Sequence, residues 1–173
     1  MRAEVKSGPQ NAQPRGMDIR IRPARLSDND PVVALVPRLR AFGSQWLRPD
    51  DALDRAEGEA IARAIAAPPD GAIVLIAESS AVENKVAGFA YAETATDYFT
   101  REKHGHLAII AVHADAEGHG VGRQLIEAVE EWATTQGYRF ITLNVFAEND
   151  RARKVYERAG YSPDTIRYAK ELG

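Results

Sequence analysis

Three glycines at alternate positions, Gly118, Gly120 and Gly122, are the residues of this sequence best suited to hold a ligand. They lie in Val112-His-Ala-Asp-Ala-Glu-Gly-His-Gly-Val-Gly-Arg-Gln-Leu125, where an apolar run leads into a turn and the turn into an amphipathic pattern. Glycine lets backbone amides approach a ligand with no Cβ in the way. A helix beginning directly behind adds unpaired N–H donors and the positive end of its dipole. The chemistry is anion binding, and phosphate is the anion it suits. A plain turn needing positive φ is satisfied by one glycine, so three at alternate positions point beyond it.

The spacing excludes two common phosphate motifs. A dinucleotide fingerprint requires Gly-x-Gly-x-x-Gly, and the sixth residue is Arg123 counted from Gly118 or Leu125 counted from Gly120. A P-loop ends in Gly-Lys-Ser/Thr, whereas this turn ends in Gly122-Arg123-Gln124.

The elements that must position this turn follow from hydrophobic periodicity. Ile19 and Ile21 alternate and predict a strand over Asp18–Arg22. Ser27-Asp28-Asn29-Asp30-Pro31 reads as a helix start, and Val32, Leu35, Val36 and Leu39 continue at helical spacing, with Pro37 set to kink or split the helix. A second helix is expected from Asp51 to Ala66, stopped by Pro68-Pro69-Asp70-Gly71. Ala72–Glu78 is continuously apolar and reads as a strand buried on both faces. Lys85–Glu93 is the next strand, Thr94–Gly105 a polar loop, and His106–His113 another central strand. Val121, Leu125, Ala128, Val129 and Trp132 form the buried stripe of a third helix, which Gly137 closes. Phe140–Phe146 is a strand, Asn149 caps a last helix that Gly160 ends, and Thr165–Leu172 reads as an edge strand. Strands and helices in this order describe an α/β domain with a mixed sheet flanked by helices.

The glycine turn resembles the acyl-CoA-binding motif of the GNAT acetyltransferase superfamily: Arg or Gln, two residues, Gly, any residue, Gly or Ala. Here it reads Glu117-Gly118-His119-Gly120-Val121-Gly122. A second signature of that family, Asn-x-x-Ala-x-x-x-Tyr-x-x-x-Gly-Phe, is matched by Asn149, Ala152, Tyr156, Gly160 and Tyr161. The opening Met17-Asp-Ile-Arg-Ile-Arg-Pro-Ala resembles the usual family start, so the likeness covers residues 18 to 173. It implies a mostly antiparallel, twisted sheet of six to seven strands, with about four helices and splayed central strands. Two positions depart from the pattern. Glu117 stands where the family has Arg or Gln, and Ala114 where a proline is common. A carboxylate beside a pyrophosphate is repulsive unless it points to solvent.

The resemblance implies acetyl-CoA as donor and an amine as acceptor, joined by direct attack in a ternary complex. Backbone groups of Ile110 and Val112 would hold the pantetheine arm, and one amide there would polarise the thioester carbonyl. Amides of Gly118, His119, Gly120, Val121, Gly122 and Arg123 would hold the pyrophosphate. Asn149 is a helix cap in its own right and a cofactor contact in the family. A lysine-like amine with pKa about 10.4 is neutral only about once in two to three thousand at pH 7, a cost near 4–5 kcal/mol, so a base is needed. Glu93 is the expected base among the cleft candidates Glu78, Glu93, His106, His113 and Asn144. Tyr156 is the expected acid for the leaving thiolate; its plain reading is a core aromatic in line with Ala152, Val155 and Ala159. Phe42 and Trp46 fall where the family forms an acceptor wall, and packing alone accounts for them equally. The acidic run Asp50, Asp51, Asp54, Glu57 and Glu59 reads as a solvated helix face, with attraction of a cationic acceptor as the sharper reading.

Composition bounds the rest. The 173 residues suit one domain, expected over 18–173 behind a flexible tail at 1–17. There is no cysteine, which removes disulfides and a cysteine nucleophile, and the histidines are too loosely tied to carboxylates for a metal site. A net charge of −3 gives no general pull toward nucleic acid. No apolar run reaches the roughly 18 residues of a membrane span, and no secretory signal is evident, so a cytoplasmic enzyme is expected. A homodimer through a strand edge is open on family grounds. The alternative to an enzyme is a non-catalytic CoA-binding regulatory domain of the same fold.

Overall fold

The computed structural model describes residues 17–41 and 49–172. Its elements are β1 (Arg20–Pro23), α1 (Asn29–Val33), α2 (Asp50–Ala66), β2 (Ala72–Glu78), β3 (Val86–Thr96), β4 (Lys103–Val112), α3 (Val121–Thr135), β5 (Ile141–Leu143) and α4 (Asp150–Arg158). The strands form one sheet in chain order, β1-β2-β3-β4-β5. The first four are antiparallel to their neighbours, and β5 joins β4 in parallel. Helix α3 supplies the crossover that a parallel pair requires.

Each face of the sheet packs on helices. On one side Leu75, Ala90 and Leu107 meet Val121, Leu125, Ile126, Val129 and Trp132 of α3. On the other, Ile76, Phe89 and Ile109 meet Val32, Val36, Ile61 and Ile65. Neighbouring residues such as Leu75 and Ile76 enter opposite cores because successive strand side chains alternate faces. A Cβ at Gly88 would lie 2.8 Å from the carbonyl oxygen of Ala111 and 3.1 Å from Val121 Cγ1, so glycine there admits the close approach of α3.

The first helix is short. Pro37 cannot continue it, and a separate 3-10 turn runs over Val36–Arg40. The segment before it is tied down by charge rather than by a helix cap. Arg22 grips both carboxylate oxygens of Asp28, at 2.7 and 2.9 Å, and also pairs with Glu78. Asp28 accepts the Arg25 N–H at 2.7 Å as well.

The sheet has five strands among the described residues, fewer than the six to seven expected. Thr165–Leu172 is not an edge strand: residues 162–172 carry no regular structure. Ile166, Tyr168 and Leu172 are exposed there, and alternation alone does not make a strand without a partner to complete its ladder. The strand expected over Phe140–Phe146 shrinks to Ile141–Leu143, because the chain leaves β4 after Leu143. The loop expected over Thr94–Gly105 is shorter than that, since β3 runs to Thr96 and β4 starts at Lys103, leaving only residues 97–102 between them. Asp97 makes the sharp turn between them, accepting hydrogen bonds from the N–H of Phe99 and the N–H and hydroxyl of Thr100. Short polar ends of long strands are hard to tell from loops by hydropathy.

Candidate active site

Strand β4 is the spine of the site. On one side it is paired with β3 along its whole length, with Ile110 opposite Ala90 and Val112 opposite Gly88. On the other it pairs with β5 only from Gly105 to Leu107. Residues 108–112 therefore present an edge with no strand beside it among the described residues. Backbone groups on that edge are free to bond a ligand, because buried or half-buried amides and carbonyls must find partners somewhere. Ile110 and Val112 lie on this edge, as expected, and the splaying of the central strands is this divergence of β5 from β4.

The glycine turn adjoins the same edge. A Cβ on Gly122 would sit 3.7 Å from Val112 Cγ2. Gly118 has φ +79° and Gly120 φ +78°, left-handed conformations that favour glycine, and space around both is open. Gly120 is the N-cap of α3, with Val121, Gly122 and Arg123 in the first turn. Amides of a first turn have no acceptor within the helix, so they point at whatever lies in front of it. His119 belongs to the same turn. An extended arm along β4 and phosphates before α3 is the shape of acetyl-CoA, and the residues present fit it.

Glu117, at the head of this turn, does not point to free solvent. Its carboxylate accepts a hydrogen bond from Arg151 Nη1 at 2.7 Å and is paired with Arg38 through its other oxygen. Burial pushes this carboxyl up, and the bonds and charges of the two arginines reverse the effect, holding it below the usual range. Glu117 is thus answered by two guanidinium groups and does not stand as an unpaired anion at the head of the turn. Neither arginine was legible as a partner, because they lie 79 and 34 residues from Glu117.

Asn149 is the N-cap of α4 by geometry: its side-chain oxygen accepts the Ala152 N–H at 3.0 Å. Tyr156 follows on α4, half-buried against the α3 core, with its ring 6.0 Å from that of Tyr161. Its hydroxyl has no hydrogen-bond partner among the described residues, and burial raises its pKa above the usual tyrosine value.

Beside β4 opens a cavity of about 790 Å3, lined by α2, β3, β4 and Asn144. Glu93, His106 and Asn144 meet there, as do Tyr91 and Glu57, whose places in the site the linear sequence did not reveal. Tyr91 donates its hydroxyl proton to Glu93 Oε2 at 2.6 Å, and burial together with Glu93 pushes the tyrosine pKa upward, so it stays a donor. His106 Nδ1 lies 2.8 Å from Thr142 Oγ1, and His104 Nε2 lies 3.1 Å from the same oxygen. Desolvation lowers the His106 pKa, against the pull of Glu93, which keeps the ring neutral at pH 7. The other two base candidates are taken by structure. Glu78 pairs with Arg22, and His113 accepts the Asp115 N–H. Phe42 and Trp46 lie outside the described residues. Trp132 is core, as its helix stripe predicts. Among the described residues no group of three His, Asp or Glu side chains comes together to hold a metal ion.

The chain matches the acetyltransferase (GNAT) family over residues 38–161. It is 36% identical over 55 residues to the uncharacterized N-acetyltransferase YycN of Bacillus subtilis (strain 168), covering 32% of this chain and 35% of that protein. It is 34% identical over 62 residues to the mycothiol acetyltransferase of Beutenbergia cavernae, covering 36% of this chain and 21% of that protein. The chain thus spans about a third or less of the length of these relatives. Among solved structures, it resembles aminoglycoside N-acetyltransferase AAC(6')-Iy in complex with CoA, at TM-score 0.65 and 29% identity, over 92% of this chain and 99% of that one. It shares its fold with the ribosomal-protein-alanine N-acetyltransferase of Brucella melitensis biovar Abortus 2308, at TM-score 0.64 and 22% identity, over 90% and 100% of the two chains. The matched span takes in the glycine turn, the splayed strands and the Asn149–Tyr161 helix, and on it the chain belongs to the GNAT family of acetyltransferases.

Proposed function

We propose that this protein is an N-acetyltransferase that moves the acetyl group of acetyl-CoA to a primary amine of a small molecule, peptide or protein. The observation that carries the reading is the adjacency of three features: the unpaired edge of β4, the open glycine turn ahead of α3, and the cavity holding Glu93 and His106. When bound, acetyl-CoA supplies an activated thioester. Amides of Gly118 to Arg123 hold the pyrophosphate, with Arg151 and Arg38 adding positive charge at the head of the turn. Backbone groups of Ile110 and Val112 hold the pantetheine arm, and an amide on that edge polarises the thioester carbonyl.

In the cavity, Glu93 takes the proton of the incoming ammonium, directly or through water. The histidine network favours Glu93 over His106 in this role. His104 is buried and its Nδ1 has no hydrogen-bond partner among the described residues. An orphaned buried N–H is costlier than an orphaned acceptor, so the His104 proton belongs on Nε2, donated to Thr142. Thr142 then donates its one proton to His106 Nδ1. That leaves the His106 proton on Nε2, making His106 a donor and not a base. As the C–N bond forms and the C–S bond breaks, Tyr156 gives its proton to the leaving thiolate, and the second proton shed by the new amide nitrogen returns to the tyrosinate through water. Asn149, its oxygen committed to the α4 cap, offers its side-chain N–H2 to the donor.

The regulatory-domain alternative rested on Glu117 and on the lack of an obvious base; the pairing of Glu117 with two arginines and the presence of Glu93 in the cavity both favour the enzyme. A cytoplasmic enzyme remains our reading of its location, and among the described residues no helix is long and apolar enough to cross a membrane. The outer edge of β5 is one place where a second copy could pair.

Thermal unfolding with and without saturating acetyl-CoA tests the donor, with ATP and NAD as controls. At a hundred times its Kd a ligand adds about 2.7 kcal/mol, which for this size is a rise of roughly 5–10 °C. A selective rise with acetyl-CoA, followed by thiol release on adding amines, supports the reading. Equal response to ATP or NAD, or no thiol release with any amine, overturns it.

A further inference from the structure

The acidic run on α2 is not a uniform solvated face. Asp54 holds Arg40 in a bidentate pair at 2.8 and 2.7 Å. Asp51 is paired with Arg55 at 2.8 Å, and Glu59 lies 3.9 Å from Arg63. Glu57 has no partner among the described residues, yet it is half-buried and lines the 790 Å3 cavity. Ala60 and Ala64 follow it along the same wall of α2 at helical spacing, and their small side chains leave the volume open. The cavity's second carboxylate, Glu93, comes from β3 rather than α2 and accepts the Tyr91 hydroxyl. Arg63 is the cavity's one lining cation among the described residues, exposed at the rim and turned toward Glu59. The other polar groups are neutral: Tyr91, His106 and Asn144.

A half-buried carboxylate with no counter-ion is costly, because it has lost water and gained nothing. Burial accordingly raises the pKa of Glu57 above the usual carboxylate value, with no compensating charge beside it. A cation placed in the cavity would remove that cost.

We propose that the acceptor carries a second positive charge besides the amine that is acetylated, and that Glu57 recognises it. The inference rests on the acetyltransferase reading of this site and adds the charge of the substrate to it. Glu93 faces the reacting ammonium, whose proton it takes. Glu57, on α2, binds the far ammonium, which is not consumed. The substrate class is a small diamine or polyamine-like cation. Amines bearing a carboxylate or phosphate at the far end are rejected, since they would bring a second anion beside Glu57.

The test is a matched panel: 1,5-diaminopentane, n-pentylamine and 5-aminopentanoate, assayed for thiol release with acetyl-CoA. The expected order of kcat/KM is diamine over monoamine by about tenfold, with the amino acid lowest. Glu57→Gln is expected to shrink the diamine-to-monoamine ratio to about threefold or less, and Glu57→Lys to turn the preference toward 5-aminopentanoate. Equal use of diamine and monoamine by the unaltered protein overturns the proposal while leaving the acetyltransferase reading intact. If no amine is acetylated, that reading fails first, and calorimetry of 1,5-diaminopentane with the CoA-saturated protein decides the charge question separately. Binding that Glu57→Gln abolishes supports recognition by Glu57; no binding overturns it.

Discussion

Glu117 and Arg151, 34 residues apart, are joined by a hydrogen bond of 2.7 Å, and the same carboxylate holds Arg38. This ties the head of the glycine turn to the first turn of α4 and to the 3-10 turn before α2. Glu117→Gln is expected to lower stability by about 1 kcal/mol, because the pairs are only partly buried. It should not weaken acetyl-CoA binding, since it removes an anion from beside the phosphates. Arg151→Ala is expected to weaken that binding about threefold to tenfold, measured by calorimetry. The Glu117 contribution also has a pH signature. Its pKa is lowered in the folded protein, so the stabilisation is full above the unfolded value near 4.5 and is lost as pH falls through the folded value. The melting difference between the two proteins should vanish in that acid window.

Tyr156→Phe removes a hydroxyl with no hydrogen-bond partner among the described residues, so the melting temperature should hold. Turnover is expected to fall by about a hundredfold or more, with unchanged affinity for acetyl-CoA. Burial raises the Tyr156 pKa above the usual 10, so the acid stays protonated through neutral pH and beyond. The activity profile should show no alkaline loss from this group until above pH 10. Unchanged turnover in the variant would remove Tyr156 from the mechanism.

Nitrogen chemical shifts of the imidazoles test the histidine network. His106 is expected to be neutral at pH 7, protonated on Nε2, and His104 likewise protonated on Nε2. Thr142→Val removes the hydroxyl that links them and should shift both sets of signals. Protonation of His106 on Nδ1 in the unaltered protein would reverse the direction of the network and return His106 to the role of base.

Arg22 and Asp28 have side chains only 11% and 8% exposed, so their pair cannot be treated as a surface ion pair. Asp28→Asn leaves the guanidinium poorly matched in a dry site, and is expected to cost about 3 kcal/mol, or roughly 6–12 °C in melting temperature. The Arg22 hydrogen bonds lower the Asp28 pKa, against burial. Its contribution is therefore present above the unfolded value near 3.8 and disappears as pH falls through the folded value. A denaturant series at pH 7 and again below pH 3 checks both statements.

Gly120→Ala isolates the backbone effect at the turn. No atom of the described residues lies within 4 Å of the added Cβ, so the cost comes from φ +78° and should be about 1 kcal/mol. Acetyl-CoA affinity is expected to fall as the turn relaxes, with no change in the core.

Local patterns in the sequence determined a great deal of this protein. The stripe of α3, the apolar strand Ala72–Glu78, the break at Pro37 and the cap at Asn149 all follow from short-range periodicity, steric rules and side-chain reach, and each is found in place. The glycine turn was legible for the same reason, since its chemistry lies within six consecutive residues. Tertiary structure decided what depends on distant partners. Whether Thr165–Leu172 joins the sheet depends on a neighbouring ladder that no alternation encodes. Whether Glu117 repels phosphate depends on Arg38 and Arg151 reaching it from other elements. Within the acidic run of α2, Asp51 and Asp54 are answered by arginines, while Glu57 has no partner among the described residues and faces the cavity. Charge and burial act through space, over a few ångströms, and a chain that folds back on itself brings together residues whose separation along the sequence carries no trace of that nearness.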